Sequence, residues 1–230
     1  MIIGTANIKN YPDMPKKKVV ADAKEVSAIC DIWGMQENNP EEDDDAISVA
    51  LGDEWMKVHG STDIPIWYRK DKFRLVGARV HLMPFEPVLP LTPRPRNLVA
   101  ATFKLRGRDV PPFVIMNSHF IAGAYNGDNS KADTARRVSQ WDIEWSHLRK
   151  FIEQYRRKGY TVFVEGDFNH PRPPKPTPNF AWLVGTRLDR IGVTTTGDVE
   201  VEEMSDGVIE LNSDHNAQWT RVLLGKRGRI

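Results

Sequence analysis

The sequence predicts an α/β protein in which two mixed β-sheets pack face to face, with helices on the outside. Ten segments have the character of strands, and two have the character of helices. Some strand candidates follow one another directly, which favours antiparallel pairing, and others are separated by a helix, which favours parallel pairing. The chain has 230 residues, 40% of them hydrophobic, which is enough to bury a sizeable core.

The strand candidates are short, apolar and rich in β-branched or aromatic residues. They cover residues 2–8, 32–36, 55–59, 64–69, 73–82, 98–105, 113–119, 161–165, 190–195 and 217–223. Because segments 64–69 and 73–82 are so close in sequence, we expect them to form a hairpin. The proline-rich stretches 84–95 and 171–178 are predicted to be loops, since proline lacks the N–H donor that a strand needs.

Two segments, 16–30 and 131–158, carry apolar residues at the spacing of an amphipathic helix. In the second segment, Ser130 predicts the helix start and Gly159 predicts its end. Trp141 and Trp145 lie on its apolar stripe, so we predict that both belong to the core.

The acidic residues 41–45 are predicted to form a solvated loop.

Several classes of protein are disfavoured by composition. No apolar run approaches the roughly 20 residues of a membrane-spanning helix, and the N-terminus lacks the features of a signal peptide. The lone Cys30 cannot form an internal disulfide, so we expect a cytoplasmic protein. We find no repeat or flexible linker and expect one domain over residues 1–230, without an obligate protein partner. A net charge of +1 is low for a protein that binds nucleic acid by bulk charge alone.

Polar residues stand at or just beyond the ends of several apolar strand candidates. They are Asn7, Glu37, His119, Asp167, Asn169, Asp214 and His215. Strand ends are rigid and the loops there face solvent, so these are suitable positions for a functional site.

This set of side chains points to phosphate-ester hydrolysis. The carboxylates of Glu37, Asp167 and Asp214 are hard oxygen ligands, and Asn7 and Asn169 add neutral oxygen donors. Such ligands suit Mg²⁺, Mn²⁺ or Ca²⁺ better than zinc. The two histidines can donate hydrogen bonds to a phosphate or move protons near neutral pH. Metal, imidazole and carboxylate together can direct water onto a phosphate ester.

Each motif is weak alone, but their order along the chain is specific. The order is Asn7, Gln36-Glu37, Ser118-His119-Phe120, Gly166-Asp167-Phe168-Asn169, Leu188-Asp189-Arg190-Ile191 and Ser213-Asp214-His215. In this order the sequence resembles the endonuclease/exonuclease/phosphatase superfamily, the deoxyribonuclease I-like proteins. The resemblance spans nearly the whole chain and implies a four-layer αββα sandwich with two packed mixed sheets. Segment 66–70 with Phe73 resembles the hairpin of that family.

The resemblance also implies roles for individual residues. Glu37 would bind the main divalent ion, Mg²⁺ or alternatively Mn²⁺ or Ca²⁺, with Asn7 and Asp214 close to it. Asp167 would position or activate the attacking water, and Asn169 would help to hold the scissile phosphate.

His119 and His215 would contact the phosphate oxygens and help to move the proton, and Asp189 would orient His215 and favour its charged form. Which histidine acts as acid and which as base stays open. The substrate-binding candidates are basic residues that neighbour these motifs: Arg190, Arg172 and His170.

The leading hypothesis is a divalent-metal-dependent phosphodiesterase, a nuclease that hydrolyses DNA in preference to RNA. One alternative keeps the chemistry and acts on a small phosphorylated molecule, such as a nucleotide or an inositol phosphate; the near-neutral charge favours it. A second alternative is a catalytically silent binding protein of the same fold, which the complete motif set disfavours.

Overall fold

The computed structural model describes residues 1–8, 14–41, 43–58, 63–84, 96–125 and 129–226. Three helices lie within them: α1 (Lys16–Ile29), α2 (Asp44–Leu51) and α3 (Lys131–Arg157). The strands are β1 (Ile2–Asn7), β2 (Ile32–Gln36), β3 (Trp55–Lys57), β4 (Ile66–Arg69), β5 (Phe73–Leu82), β6 (Asn97–Leu105), β7 (Phe113–His119), β8 (Thr161–Asp167), β9 (Phe180–Thr186), β10 (Asp189–Thr194), β11 (Val199–Ile209) and β12 (Ala217–Lys226).

The strands form two six-stranded mixed sheets, which confirms the predicted class. Sheet 1 has the order β11-β12-β1-β2-β4-β3, and sheet 2 has the order β5-β6-β7-β8-β10-β9. Each sheet holds one parallel pair, β1 with β2 and β7 with β8. In both cases a helix, α1 or α3, lies between the paired strands in sequence, as a parallel connection requires.

Three apolar clusters separate four layers of structure. The cluster between the sheets joins Ile3 and Ile66 of sheet 1 to Phe113 and Phe163 of sheet 2. Another lies between sheet 2 and α3, and the third lies between sheet 1 and helices α1 and α2. Trp141 and Trp145 belong to the α3 cluster and are only 2% and 6% exposed, which confirms their predicted place in the core.

A buried polar bridge connects the two sheets next to the strand ends. Gln36 Nε2 of β2 donates to Asn117 Oδ1 of β7 at 2.7 Å. Asn117 Nδ2 lies within 2.8–3.1 Å of three backbone carbonyl oxygens from the β2 and β4 region. At Gly34 an added Cβ would lie 2.4 Å from Glu165 Oε1 and 2.6 Å from Asn117 Cγ, so any larger residue would displace buried side chains of the facing sheet.

The predicted hairpin of segments 64–69 and 73–82 is wrong. Strand β4 pairs with β2 and β3 in sheet 1, whereas β5 pairs with β6 in sheet 2. The short connection crosses from one sheet to the other, because Tyr68 and Phe73 both bury their rings in the cluster between the sheets.

The sequence-based prediction also missed three elements. Strand β9 lies at the edge of sheet 2, and the polar strand β11 lies at the edge of sheet 1. The acidic run expected in a loop is helical at its end, because Asp44 and Asp45 form the first turn of helix α2, where carboxylates stabilise a helix. Glu41 and Asp43 lie in the turn before the helix, and residue 42 lies outside the described residues.

The two proline-rich loops have different outcomes. The chain from His170 to Asn179 forms neither helix nor strand, as predicted. Residues 85–95, most of the other predicted loop, lie outside the described residues. None of the described helices has both the length and the apolar character that crossing a membrane requires.

Replacing Asn117 with alanine should lower the free energy of unfolding by about 2–4 kcal/mol, because buried carbonyls and the Gln36 amide lose their partner. Urea or guanidinium unfolding followed by circular dichroism measures this loss. The exposed Asn179→Ala is the matched control and should change stability by less than about 0.5 kcal/mol. A loss below about 1 kcal/mol in Asn117→Ala would show that the bridge contributes little.

Candidate active site

Strand register brings the polar strand ends together. In sheet 1, Asn7 at the end of β1 is paired with Gln36, the residue before Glu37. In sheet 2, Asp167 at the end of β8 is paired with His119 on one side and with Asp189 on the other. The packing of the sheets then places these two groups of residues against each other.

Asn7 joins the two groups directly. Its Nδ2 lies 3.2 Å from Glu37 Oε1 and 3.0 Å from Asp167 Oδ2, so one amide bridges carboxylates of both sheets. His119 Nε2 lies 3.8 Å from each of these carboxylate oxygens. The structure therefore brings together four of the predicted site residues around one point.

His215 reaches the same point from the loop before β12. Its Nδ1 donates to Asp189 Oδ2 at 2.8 Å and lies 4.0 Å from Asp167 Oδ2. The hydrogen bond to Asp189 is the main cause that raises the pKa of His215 to about 9. His215 is therefore an imidazolium at neutral pH, in line with the expected effect of Asp189.

Asp167 is almost completely buried beneath this group. Burial, and secondly the Asp189 carboxylate, raise its pKa to about 6. The backbone N–H of Asn169 donates to Asp167 Oδ1 at 2.8 Å, and Asn169 Nδ2 donates to the Phe120 carbonyl at 2.9 Å. Asp167 thus offers a carboxylate of unusual basicity that the neighbouring loops hold in place.

Arg96 is a residue of this site that the sequence analysis did not single out. Its Nη1 lies 3.2 Å from His119 Nδ1. Arginine has no acceptor, so Nδ1 accepts and the proton of His119 resides on Nε2, facing Glu37 and Asp167. Burial, followed by the charges of Arg96 and His215, lowers the pKa of His119 well below its usual value. The two histidines consequently differ in charge.

Two site residues adopt left-handed backbone conformations. Glu37 has φ 61° and Asn169 has φ 48°. Asparagine tolerates this region, but glutamate does so only at a cost in conformational energy. Strain of this kind concentrates at functional sites, where the surrounding structure holds it in place.

The donor set fits a hard divalent cation. Asn7 Oδ1 is buried without a hydrogen-bond partner among the described residues and lies on the side chain that already contacts two carboxylates. A second group of potential metal ligands occurs among the described residues. Asp167, Asp189 and His215 each have one potential ligand atom, and these three atoms lie within 4.8 Å of one another. This group differs from the predicted set of Glu37, Asn7 and Asp214, and a charged His215 offers no lone pair to a metal.

Asp214 is exposed, unlike the other acidic residues of the site. Its carboxylate contributes to the raised pKa of His215. The loop that carries it is held to sheet 1, because Ser213 Oγ donates to the Asn7 carbonyl at 2.8 Å. The buried Asp22 of α1 accepts from the Ser213 backbone N–H at 3.1 Å. Sequence patterns gave no indication of this supporting role of Asp22.

The substrate-binding candidates lie beside the group, on the proline-rich loop and strand β10. Arg190 Nη2 donates to the Pro171 carbonyl at 2.6 Å, so part of its guanidinium anchors that loop. The Arg172 backbone N–H donates to His170 Nδ1 at 2.9 Å. The ring of His170 packs on Tyr125 with a centroid separation of 4.0 Å. These contacts tie Arg190, Arg172 and His170 to the loop that follows Asn169.

Glu144 of α3 supports the loop that follows His119. Its Oε2 accepts from the Ile121 backbone N–H at 2.9 Å, and its Oε1 accepts from Gln140 Nε2 at 3.1 Å. Burial raises the pKa of this carboxyl to about 7.

Comparison with solved structures places this geometry in a known fold. An endonuclease/exonuclease/phosphatase family protein from Bacteroides thetaiotaomicron is 17% identical, with a TM-score of 0.69 over 96% of this chain and 94% of that chain. A mannosyl-6-phosphatase from the same organism is 17% identical, with a TM-score of 0.71 over 97% of this chain and 99% of that one. D. rerio TDP2 complexed with a single-strand DNA product is 15% identical, with a TM-score of 0.72 over 97% and 98%.

No protein-family model and no curated protein matches the sequence itself. The structural likeness confirms the fold that the motifs implied: the chain has the fold of the endonuclease/exonuclease/phosphatase proteins.

The buried Glu144 should make stability depend on pH. Its folded pKa is raised, so its contribution is fully present below about pH 4.5 and is lost as pH rises through about 7. The unfolding free energy of the wild type should fall between pH 4.5 and 8. In Glu144→Gln this fall should be smaller by about 2–3 kcal/mol. Chemical denaturation across this range measures the slope.

Glu153→Gln on the same helix is the matched control. Hydrogen bonds from Arg156 and Arg157 lower the pKa of Glu153 to about 2, so its titration lies below this window. The prediction fails if Glu144→Gln retains the full slope of the wild type.

Proposed function

We propose that this protein is a divalent-metal-dependent phosphodiesterase, a nuclease that hydrolyses DNA. The observation that carries the proposal is the convergence of carboxylate, amide and imidazole groups from both sheets around Asn7 Nδ2. The proposal treats residues 1–230 as one catalytic domain.

Glu37, Asn7 and Asp214 are the proposed ligands of a divalent cation, Mg²⁺ or alternatively Mn²⁺ or Ca²⁺. Asn7 Oδ1, which has no hydrogen-bond partner among the described residues, and the carboxylates of Glu37 and Asp214 would supply the hard oxygen donors that these ions prefer. When bound, the ion neutralises negative charge that develops on the phosphate oxygens.

Asp167 is the proposed residue that orients and activates the attacking water. Its pKa of about 6 leaves the carboxylate ionised at pH 7 to 8 but more basic than an ordinary aspartate. Asn169 lies directly beside it, and its Nδ2 is already engaged by the Phe120 carbonyl. We assign Asn169 to the orientation of the scissile phosphate.

The two histidines take different parts in the proposed reaction. His215, held as imidazolium by Asp189, provides a positive hydrogen-bond donor for a phosphate oxygen and a proton for the leaving group. His119, held neutral with its proton on Nε2, donates a hydrogen bond without carrying charge. This division follows from the partners of the two rings, Asp189 and Arg96.

Arg190, Arg172 and His170 are proposed to flank the bound strand on the side of the proline-rich loop. DNA is the preferred polymer because the similar fold of D. rerio TDP2 was solved with a single-strand DNA product. The packed rings of His170 and Tyr125 offer a surface on which a base can stack.

A phosphatase of a small phosphorylated molecule is the second candidate. The likeness to a mannosyl-6-phosphatase and the net charge of +1 favour it. The same side chains would serve, since only the group attached to the phosphate differs. A catalytically silent binding protein is disfavoured. The charged His215–Asp189 pair and the raised pKa of Asp167 are features of a reactive site.

A plasmid-nicking assay tests the main proposal. The wild type should nick supercoiled DNA with Mg²⁺ or Mn²⁺, and EDTA should abolish the activity. His119→Ala and Asp167→Ala should each reduce the rate by at least about 100-fold, the lower range for loss of a proton-transfer or water-orienting group.

His147→Ala is the matched control, since His147 lies on α3 against Phe151, outside the group described above. It should nick at the wild-type rate. Intact plasmid and intact RNA with both metals would refute the nuclease, and phosphate release from sugar phosphates or nucleotides would then support the second candidate.

A further inference from the structure

The turn between β9 and β10 has an unusual residue at its first central position. Thr186 and Asp189 are paired, so Arg187 and Leu188 form a two-residue hairpin loop. Arg187 has φ 51°, and Leu188 is not among the described residues with positive φ. Positive φ at the first central residue alone is the pattern of a type II′ turn, in which glycine normally holds that position. An arginine there carries a cost in backbone strain that glycine would avoid.

This turn is attached to the candidate active site on both sides. The Leu188 carbonyl accepts from the Phe168 backbone N–H at 3.0 Å, which ties the turn to the segment between Asp167 and Asn169. The next residue after the turn is Asp189, the partner of His215. The backbone of Arg187 is therefore fixed relative to the phosphate site.

Arg187 is among the residues that line a cavity beside the site. The cavity has a volume of about 470 Å³, and the active-site residues Asp189, Asp214 and His215 form part of its wall together with Asn216. Its size lies in the range of natural ligand pockets. Among the described residues, Arg187 forms no ion pair with a carboxylate.

The two carboxylates in the cavity wall have other roles, so the Arg187 guanidinium can bind an anion. Asp189 is engaged by the charged His215 at 2.8 Å, and Asp214 is one of the proposed metal ligands. Arg187 thus stands beside the reaction centre as a cation with a fixed backbone. Its carbonyl accepts from Arg190 Nη2 at 3.5 Å, the same atom that donates to the Pro171 carbonyl of the proline-rich loop.

We propose that this cavity is a second phosphate subsite and that Arg187 binds the phosphate adjacent to the scissile one in a nucleic-acid strand. The inference rests on the proposed function and narrows its substrate to a strand with at least two neighbouring phosphates. An arginine fork suits such a group, because it can donate two parallel hydrogen bonds to phosphate oxygens.

The test compares two substrates that differ in neighbouring phosphates. Thymidylyl-thymidine has one phosphodiester and no second phosphate, whereas decathymidylate has neighbours on either side. Arg187→Gly should lower kcat/KM about tenfold on decathymidylate, as expected for one lost charge-assisted contact, and less than twofold on the dinucleoside. The dependence of log kcat/KM on log salt concentration should become shallower by about 0.7 for the decamer.

The backbone makes Arg187→Gly a safe substitution. Glycine accepts φ 51°, so the melting temperature should equal or exceed that of the wild type. Arg187→Lys keeps the charge but loses the two-donor fork, so its kcat/KM on decathymidylate should lie between those of Arg187→Gly and the wild type, with the salt dependence of the wild type. Arg74→Ala removes one exposed positive charge from β5 near the opposite end of sheet 2, where Arg74 is paired with Lys104, and should leave both substrates unaffected.

The outcomes separate this inference from the proposed function. Equal rates for the wild type and Arg187→Gly on decathymidylate, or an equal loss on both substrates, would overturn the subsite. A wild type that cleaves neither substrate but hydrolyses phosphate monoesters would refute the nuclease itself, and the strand subsite with it.

Discussion

The hydrogen bond from Gln36 to Asn117, at 2.7 Å, is the interaction on which the site most depends. Asn7 and Glu37 belong to sheet 1, whereas His119, Asp167 and Asp189 belong to sheet 2. Apolar packing between sheets is non-directional and does not by itself prevent one sheet from sliding over the other. A buried hydrogen bond does have a required geometry, and this one joins the residue before Glu37 to a residue of the strand that ends at His119.

The bridge also explains the composition of the buried layer beneath the site. A polar group in a core is favourable only when its partners are complete, and Asn117 meets this condition by donating to carbonyls of the facing sheet. Gly34 lets the sheets approach closely enough for these bonds to form. The result is a site whose two halves are held at fixed separation, so that Asn7 Nδ2 reaches carboxylates on both sides.

Much of the fold and site could be predicted from sequence, for a definite reason. A polar residue at the end of an apolar run is visible locally, which is how Asn7, Glu37, His119 and Asp167 were found. Pairing between strands is not local, so the spacing of β4 and β5 wrongly suggested a hairpin although they lie in different sheets. Arg96 follows a proline-rich stretch, and its place in the site depends on contact with His119, which belongs to another strand. Strand β11 was missed because an edge strand with exposed polar residues lacks the apolar alternation that identifies strands.

Backbone strain gives an independent indication of where function lies. Among the described non-glycine residues, those with positive φ are Glu37, Asn169 and Arg187, and all three surround the Asp167–His215 region. Each sits where a strand ends or reverses, and glycine would satisfy the local backbone at lower cost. Strain that the surrounding structure holds in place is typical of functional sites. Glu37 and Asn169 already belong to the group around Asn7 and Asp167, and the turn that carries Arg187 is hydrogen-bonded to Phe168, between Asp167 and Asn169. The strained residues thus lie around one centre, where the ends of β2 and β8 and the turn between β9 and β10 meet.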